Sequence, residues 1–234
     1  MSVAKNINHI MEEVGETCVR AGRKTSEVQI MAVSKFKDLQ AVRQAYDAGV
    51  RLFGESRVQE AAEKFSPQTG RLEPFNDIQL HLIGSLQRNK AKKAAAIFDC
   101  IQSVDRTEVI EELGKITHGR TTPLPVLLEL NAGEDSKSGF PNTDGLCRAA
   151  ENVLGLKGLT INGLMTMAPW TDNDRLVRHA FSNLKKAQQI LTGKFPDSNW
   201  QTLSMGMSGD FKIAIQEGST LIRIGTAIFG GRAV

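Results

Sequence analysis

Cysteine is scarce in this chain: Cys18, Cys100 and Cys147 lie far apart, with no Cys-x-x-Cys spacing and no histidine beside them. An odd, scattered set of this kind excludes a disulfide framework and a thiolate zinc site, and it fits a reducing cytoplasm. The four histidines, His9, His81, His118 and His179, share no spacing that would hold a metal or build a catalytic triad. Long apolar runs are missing too. Nothing approaches the roughly 20 residues that a membrane-spanning helix requires, and Met1–Glu13 lacks the apolar stretch of a secretion signal. Charge of one sign is not in excess, since 29 basic residues face 26 acidic ones for a net charge of +3. Such a balance provides no broad field for a polyanion. The one basic cluster, Arg88-Asn89-Lys90-Ala91-Lys92-Lys93, has no aromatic residues interleaved and reads as a solvated helix face rather than a nucleic-acid patch. No linker rich in Pro, Gly and Ser divides the chain. The expectation is therefore one domain over residues 1–234, cytoplasmic, with neither membrane nor nucleic acid as a partner.

What is present is a rhythm. After an amphipathic stretch that places Ile7, Ile10, Met11, Val14 and Cys18 at helical spacing, with Gly22 following as a stop, short β-branched runs alternate with longer helical patterns. Strands are expected near Val28–Ser34, Val50–Gly54, Gln79–Ile83, Cys100–Val104, Val126–Leu130, Leu159–Met165, Thr202–Met205 and Leu221–Ile224. Helices are expected between them, around Leu39–Ala48, Arg57–Phe65, Gln87–Ala96, Thr107–Thr117, Thr143–Val153, Asp174–Leu191 and Phe211–Glu217. Ser66–Asp77 reads as the longest surface loop. Eight strands with seven intervening helices, and a leading helix for the remaining gap, predict an α/β fold: a single (β/α)8 TIM barrel with an extra N-terminal helix. An open doubly wound sheet is the competitor, but it explains the even strand count less well.

In such a barrel, function collects at the C-terminal ends of the strands, and an anion site belongs at the loops after strands seven and eight. Those loops carry Ser204-Met205-Gly206-Met207-Ser208-Gly209 and Arg223-Ile224-Gly225-Thr226, small residues that let backbone N–H groups and hydroxyls approach a phosphate. Ser208 also suits the N-cap of the helix Phe211–Glu217. At the end of strand one stands Lys35, expected half-buried at the barrel mouth, where burial disfavours the charged amine and favours a nucleophile for an aldehyde. A strand-capping, snorkelling lysine is the alternative, and Lys37 has the same parity along the strand. An amine at one end and a phosphate cup at the other select a ligand with an aldehyde and a phosphate, and pyridoxal 5′-phosphate (PLP) is that ligand. Arg223 lies where it could meet the ring. Arginine only donates, so paired with the pyridine nitrogen it would leave that nitrogen unprotonated and the ring a weak electron sink, although a pairing with Glu55 inside the barrel is open to it as well. His81 reads as a buried, hydrogen-bonded core residue, and Met165 and Met167 as packing beneath the mouth.

Taken together and in order, Ala32-Val33-Ser34-Lys35, Phe53-Gly54-Glu55 with Val58-Gln59-Glu60, His81-Leu82-Ile83-Gly84 with Leu86-Gln87 and Asn89-Lys90, Lys137-Ser138-Gly139, Gly163-Leu164-Met165-Thr166-Met167, Ser204-Met205-Gly206-Met207-Ser208 and Arg223-Ile224-Gly225-Thr226 resemble the pyridoxal phosphate homeostasis family. That family is similar to the barrel domain of fold-type III PLP enzymes such as alanine racemase. The resemblance implies Lys35 as the lysine joined to PLP, Arg223 as partner of the pyridine nitrogen, and Ser208, Gly225 and Thr226 as phosphate ligands, with no metal and no catalytic residue. One departure is Ser56, where the family pattern reads asparagine after Gly-Glu, so whatever that asparagine contacts does not carry over. A racemase of this type needs a second base from a further domain and a partner subunit, whereas this chain ends eight residues after Thr226. The resemblance thus implies a monomeric PLP carrier in vitamin B6 homeostasis, with little or no catalysis and with apo PLP-dependent enzymes as partners. A PLP-dependent amino-acid racemase, with His81 or Lys137 as second base, is the alternative.

Overall fold

The computed structural model describes residues 2–65, 75, 77–133 and 138–231. Eight strands, β1 (Gln29–Val33), β2 (Leu52–Glu55), β3 (Gln79–Leu82), β4 (Cys100–Val104), β5 (Leu124–Glu129), β6 (Leu159–Met165), β7 (Thr202–Ser204) and β8 (Leu221–Ile224), pair in parallel in sequence order. β8 closes on β1, with Ala32 opposite Ile224, to make a closed barrel. This is the (β/α)8 fold expected from the alternation, with the ends of the other five strands displaced by a residue or two from those expected and β4, β6 and β8 as expected. The expected loop Ser66–Asp77 lies largely outside the described residues, as does Lys137.

The helices are α1 (Val3–Arg20), α2 (Leu39–Asp47), α3 (Val58–Phe65), α4 (Ala91–Ile97), α5 (Thr107–Thr117), α6 (Thr143–Leu154), α7 (Asp174–Lys194), α8 (Phe211–Gln216) and a last turn, α9 (Thr226–Phe229). Local chemistry starts several of them. The carboxylate of Asp38 accepts from Ala41 N at 2.8 Å to cap α2, and the amide oxygen of Asn142 accepts from Gly145 N at 2.9 Å to cap α6. Helix α1 packs against α2, α8 and α9, filling the place that a helix between β8 and β1 would take. It buries Ile7, Ile10, Val14 and Cys18, while Met11 is 56% exposed. Met11 lies on the same face by helical spacing, four residues after Ile7, and is exposed because it lines an open groove beside Ile7, Ile10 and Val14.

Side chains alternate between two environments. Ile101, Leu128 and Leu164 join the large apolar layer beneath the helices, whereas Cys100, Leu127 and Met165 form a separate cluster with Met167 beside it. That is the packing expected for the two methionines. One glycine governs the barrel wall locally. Gly163 has φ 139°, and a Cβ there would fall 2.0 Å from the Thr202 carbonyl oxygen, so only glycine lets β7 come this close. The pairing of β5 with β6 shifts register at this point, between Val126 and Leu127.

Candidate functional site

The cup at the end of β7 and β8 is assembled by hydrogen bonds between its two segments. Ala227 N donates to Ser208 Oγ at 3.2 Å. Ser208 therefore does not cap the helix that follows it, as one reading of the sequence had it. α8 begins after Asp210, whose carboxylate accepts from Met207 N. The serine hydroxyl instead meets the N-terminus of α9, where Thr226 and Ala227 occupy the first two helical positions and have no acceptor within the helix. Ser208 and Gly225 are half-buried and Thr226 is exposed, so the cup opens to solvent.

Neighbouring β1 brings Lys35 to the same rim. A Cβ built on Gly225 would lie 3.5 Å from Val33 Cβ, so the end of β1 abuts the cup, and Lys35 stands two residues further on. Lys35 is exposed, not half-buried as expected. The strand stops at Val33, and the chain turns at Phe36, which takes φ 62°. The turn also cancels the shared parity of Lys35 and Lys37. The ammonium of Lys37 is engaged by the carbonyls of Phe229, Gly230 and Gly231 at 3.2, 3.0 and 2.8 Å, closing the C-terminal end of α9. No hydrogen-bond or ion-pair partner occupies Lys35 among the described residues.

Arg223 is 3% exposed and points into the barrel. Its guanidinium donates to Ser204 Oγ and to the Thr166 carbonyl, both at 2.8 Å, and not to Glu55. Burial lowers its pKa to about 10, opposed by the carboxylates of Asp210 and Glu129, so it stays a cation at neutral pH. From Arg223 a chain of hydrogen bonds crosses the lumen. Ser204 Oγ donates to Gln102 Oε1 at 2.6 Å, and Gln102 Nε2 meets His81 Nδ1 at 2.8 Å. β7 and β4 are not neighbours in the barrel, so the Ser204–Gln102 bond spans its interior.

Direction in this chain follows from the placement of the Gln102 amide. Its oxygen faces Ser204 and accepts from the hydroxyl, so its nitrogen, a donor only, is the atom that faces His81 Nδ1 and donates to it. His81 is thereby neutral, with its proton on Nε2, and burial pushes its pKa down to about 4. The expectation of a hydrogen-bonded core histidine holds, although the ring keeps partial exposure. Glu129, 2% exposed at the end of β5, accepts from Ser138 Oγ at 2.8 Å. Burial raises its pKa to about 7.

A second polar cluster sits behind β1 and β2. Ser34 Oγ donates to Glu55 Oε1 at 2.7 Å, and Lys64 Nζ donates to the Ser34 carbonyl, Glu55 Oε1 and Glu60 Oε1 at 2.7, 2.9 and 2.6 Å. Reading along the sequence did not single out Gln102, Glu129 or Lys64. A signal existed for the first two, because a glutamine within Cys100–Val104 and a glutamate closing a Leu-rich strand are polar residues in otherwise apolar runs. The basic cluster is surface, as expected: Arg88, Lys90, Lys92 and Lys93 are all exposed, Arg88 lies 3.6 Å from Glu112, and Lys93 donates to Gln59.

Comparison with known proteins identifies the family. The family described as "Alanine racemase, N-terminal domain" matches residues 7–233. Curated relatives named pyridoxal phosphate homeostasis protein include one from Vibrio alginolyticus, 39% identical over 99% of this chain and 98% of its own length. Another, from Escherichia coli K12, is 36% identical over 98% and 97%. The chain belongs to the pyridoxal phosphate homeostasis family. Among solved structures, PipY of Synechococcus elongatus with PLP bound superposes with a TM-score of 0.82 at 33% identity, covering 98% of this chain and 100% of that one. A protein from Bifidobacterium adolescentis gives a TM-score of 0.87 at 32% identity, over 97% and 94%. An alanine racemase of Clostridium difficile shares the fold with a TM-score of 0.72 at 13% identity, and the match spans 56% of its length. No helix among the described residues is long and apolar enough to cross a membrane, and no group of metal-ligating side chains occurs among them.

Proposed function

We propose that this chain binds PLP and serves in intracellular vitamin B6 homeostasis as a carrier with little or no turnover. The observation that carries the reading is the juxtaposition of Val33 and Gly225, which sets an unengaged amine and an anion cup on adjacent strands at one rim of the barrel. The donor set fits the ligand. Ser208, Gly225 and Thr226 offer a hydroxyl and helix N-terminal amides to the phosphate. The guanidinium of Arg223 spends two of its five N–H donors on Ser204 and Thr166 and keeps three for a ring acceptor such as the pyridine nitrogen. PipY, at 33% identity over the whole chain, has been solved with PLP.

PLP, when bound, supplies a reactive aldehyde on an electron-withdrawing ring. Lys35 would be the residue that holds the aldehyde end, through the reversible condensation with an amine that such a group undergoes. Arg223, held as a cation, would keep its protons against a pyridine nitrogen, which would leave the ring a weak electron sink and discourage α-proton chemistry. His81 offers a proton on Nε2 and has its Nδ1 lone pair engaged by Gln102, which unfits it as the second base a racemase needs. A cytoplasmic monomer that gives PLP to apo-enzymes completes the reading.

The test is spectroscopic. Purified protein mixed with PLP is expected to develop the visible absorption of a C=N bond, borohydride is expected to fix it covalently at Lys35, and Lys35→Ala is expected to abolish it. A protein that stays colourless refutes PLP binding. Exchange of an amino-acid α-proton in deuterated water well above the rate with free PLP would favour the racemase reading instead.

A further inference from the structure

The geometry points to Lys64 of α3, acting with Glu55 and Glu60, as the positioning device that holds the reactive Lys35 turn from outside the barrel. This rests on the reading of Lys35 given above and extends it to residues that touch no ligand. The three are brought together by one β-strand and the helix after it: Glu55 closes β2, and Glu60 and Lys64 stand one turn apart on α3. Side-chain exposures of 0% for Glu55, 18% for Glu60 and 10% for Lys64 make this a mostly water-free cluster.

The ammonium of Lys64 has three N–H donors, and the structure gives it three acceptors. One is the main-chain carbonyl of Ser34, at 2.7 Å, immediately before Lys35. The other two are Oε1 of Glu55 and Oε1 of Glu60. Each carboxylate then reaches the same turn. Glu55 accepts from the Ser34 hydroxyl, and Glu60 accepts from the main-chain N–H of Phe36, immediately after Lys35. Both residues flanking Lys35 are thus fastened by charge-assisted hydrogen bonds, while Lys35 itself is left free.

The turn needs such support. Phe36 at φ 62° is the one non-glycine residue with positive φ among the described residues, a conformation that an isolated aromatic residue disfavours. The carboxylate of Glu60 on its N–H and the guanidinium of Arg57 5.1 Å from its ring centre hold it there. A buried cation serving two carboxylates and a carbonyl is a poor source of stability compared with an apolar replacement. It does fix a backbone geometry that apolar packing would not.

The experiment uses the full chain with Lys64→Met and Lys64→Arg. Native-state hydrogen exchange on protein without PLP is expected to show faster exchange of the Phe36 amide in Lys64→Met, with the barrel strands unchanged. Stopped-flow mixing with PLP is expected to show C=N formation slowed about tenfold or more, since small misplacements of a reacting group cost rate steeply. Lys64→Arg is expected to recover most of both. Should Lys64→Met fail to fold, Glu60→Ala, a substitution at a half-buried position that frees the Phe36 N–H, gives the same two readouts. Unchanged Phe36 exchange and unchanged rate in a folded variant overturn the assignment, as does an equal loss in Lys64→Arg. A wild-type protein that forms no C=N bond refutes the reading of Lys35 instead, so the two failures are separable.

Discussion

Replacing Gln102 by methionine removes the link that ties Arg223 to His81 without changing the volume much. Gln102 is wholly buried and makes two bonds, accepting from Ser204 Oγ at 2.6 Å and donating to His81 Nδ1 at 2.8 Å. Ser204 is also wholly buried, so its hydroxyl would lose its acceptor with no water to replace it, at a cost of about 2 kcal/mol. His81 keeps some exposure, so its orphaned nitrogen costs about 1 kcal/mol. The sum, about 3 kcal/mol, corresponds for a chain of this size to a fall in Tm of roughly 6–12 °C. Urea unfolding and calorimetry measure both quantities. Nitrogen NMR of the imidazole adds a sharper reading, because the directed chain requires an unprotonated Nδ1 on His81 in the wild type. In Gln102→Glu the carboxylate still accepts from Ser204 but now presents an acceptor to the ring, so His81 is expected to gain a proton on Nδ1 and titrate at higher pH. A loss below about 0.5 kcal/mol in Gln102→Met, or a wild-type His81 protonated on Nδ1, refutes the directed chain.

Ser208→Ala is expected to remove the acceptor of Ala227 N, lowering stability by about 1 kcal/mol and PLP affinity several-fold, read by urea melts and titration with PLP. Lys37→Met is expected to release the end of α9, seen as faster amide exchange there, while borohydride still fixes PLP on the protein, which separates the two lysines. The pH dependence has two opposed parts. His81 with its pKa lowered to about 4 contributes stability that is present above pH 6.5 and lost as the pH falls toward 4. Glu129 with its pKa raised to about 7 works the other way, its native form binding the extra proton between about 4.5 and 7, so stability falls as the pH rises through that window. Urea unfolding at pH 5 and pH 7.5 is expected to show Glu129→Gln gaining on the wild type as the pH rises, and a constant difference contradicts this.

The barrel was legible because each strand is a short apolar run and each helix carries its own periodicity and cap, signals that reside within ten or so residues. β4, β6 and β8 came out with the expected ends. The meeting of the Ser208 and Gly225-Thr226 segments was legible for the same reason, as glycines and hydroxyls after two adjacent strands. What escaped depends on distant partners. Gln102 finds Ser204 across 102 positions, and Lys64 reaches back 30 positions to the Ser34 carbonyl. The exposure of Lys35 escaped because Ser34-Lys35-Phe36-Lys37 continues the alternation of a strand, and nothing local announces that Phe36 turns the chain with positive φ. α9 escaped because it is a four-residue turn between glycines, stabilised through Ser208 and Lys37 from other segments.

Mapping the borohydride-fixed adduct of PLP by mass spectrometry, in the wild type and in Lys35→Ala, tests the joint hold of one rim on both ends of PLP most directly. Modification of the peptide at Lys35 alone, absent from the variant, is the predicted result. A label on Lys37, labelling at scattered surface lysines, or undiminished modification of Lys35→Ala would contradict it.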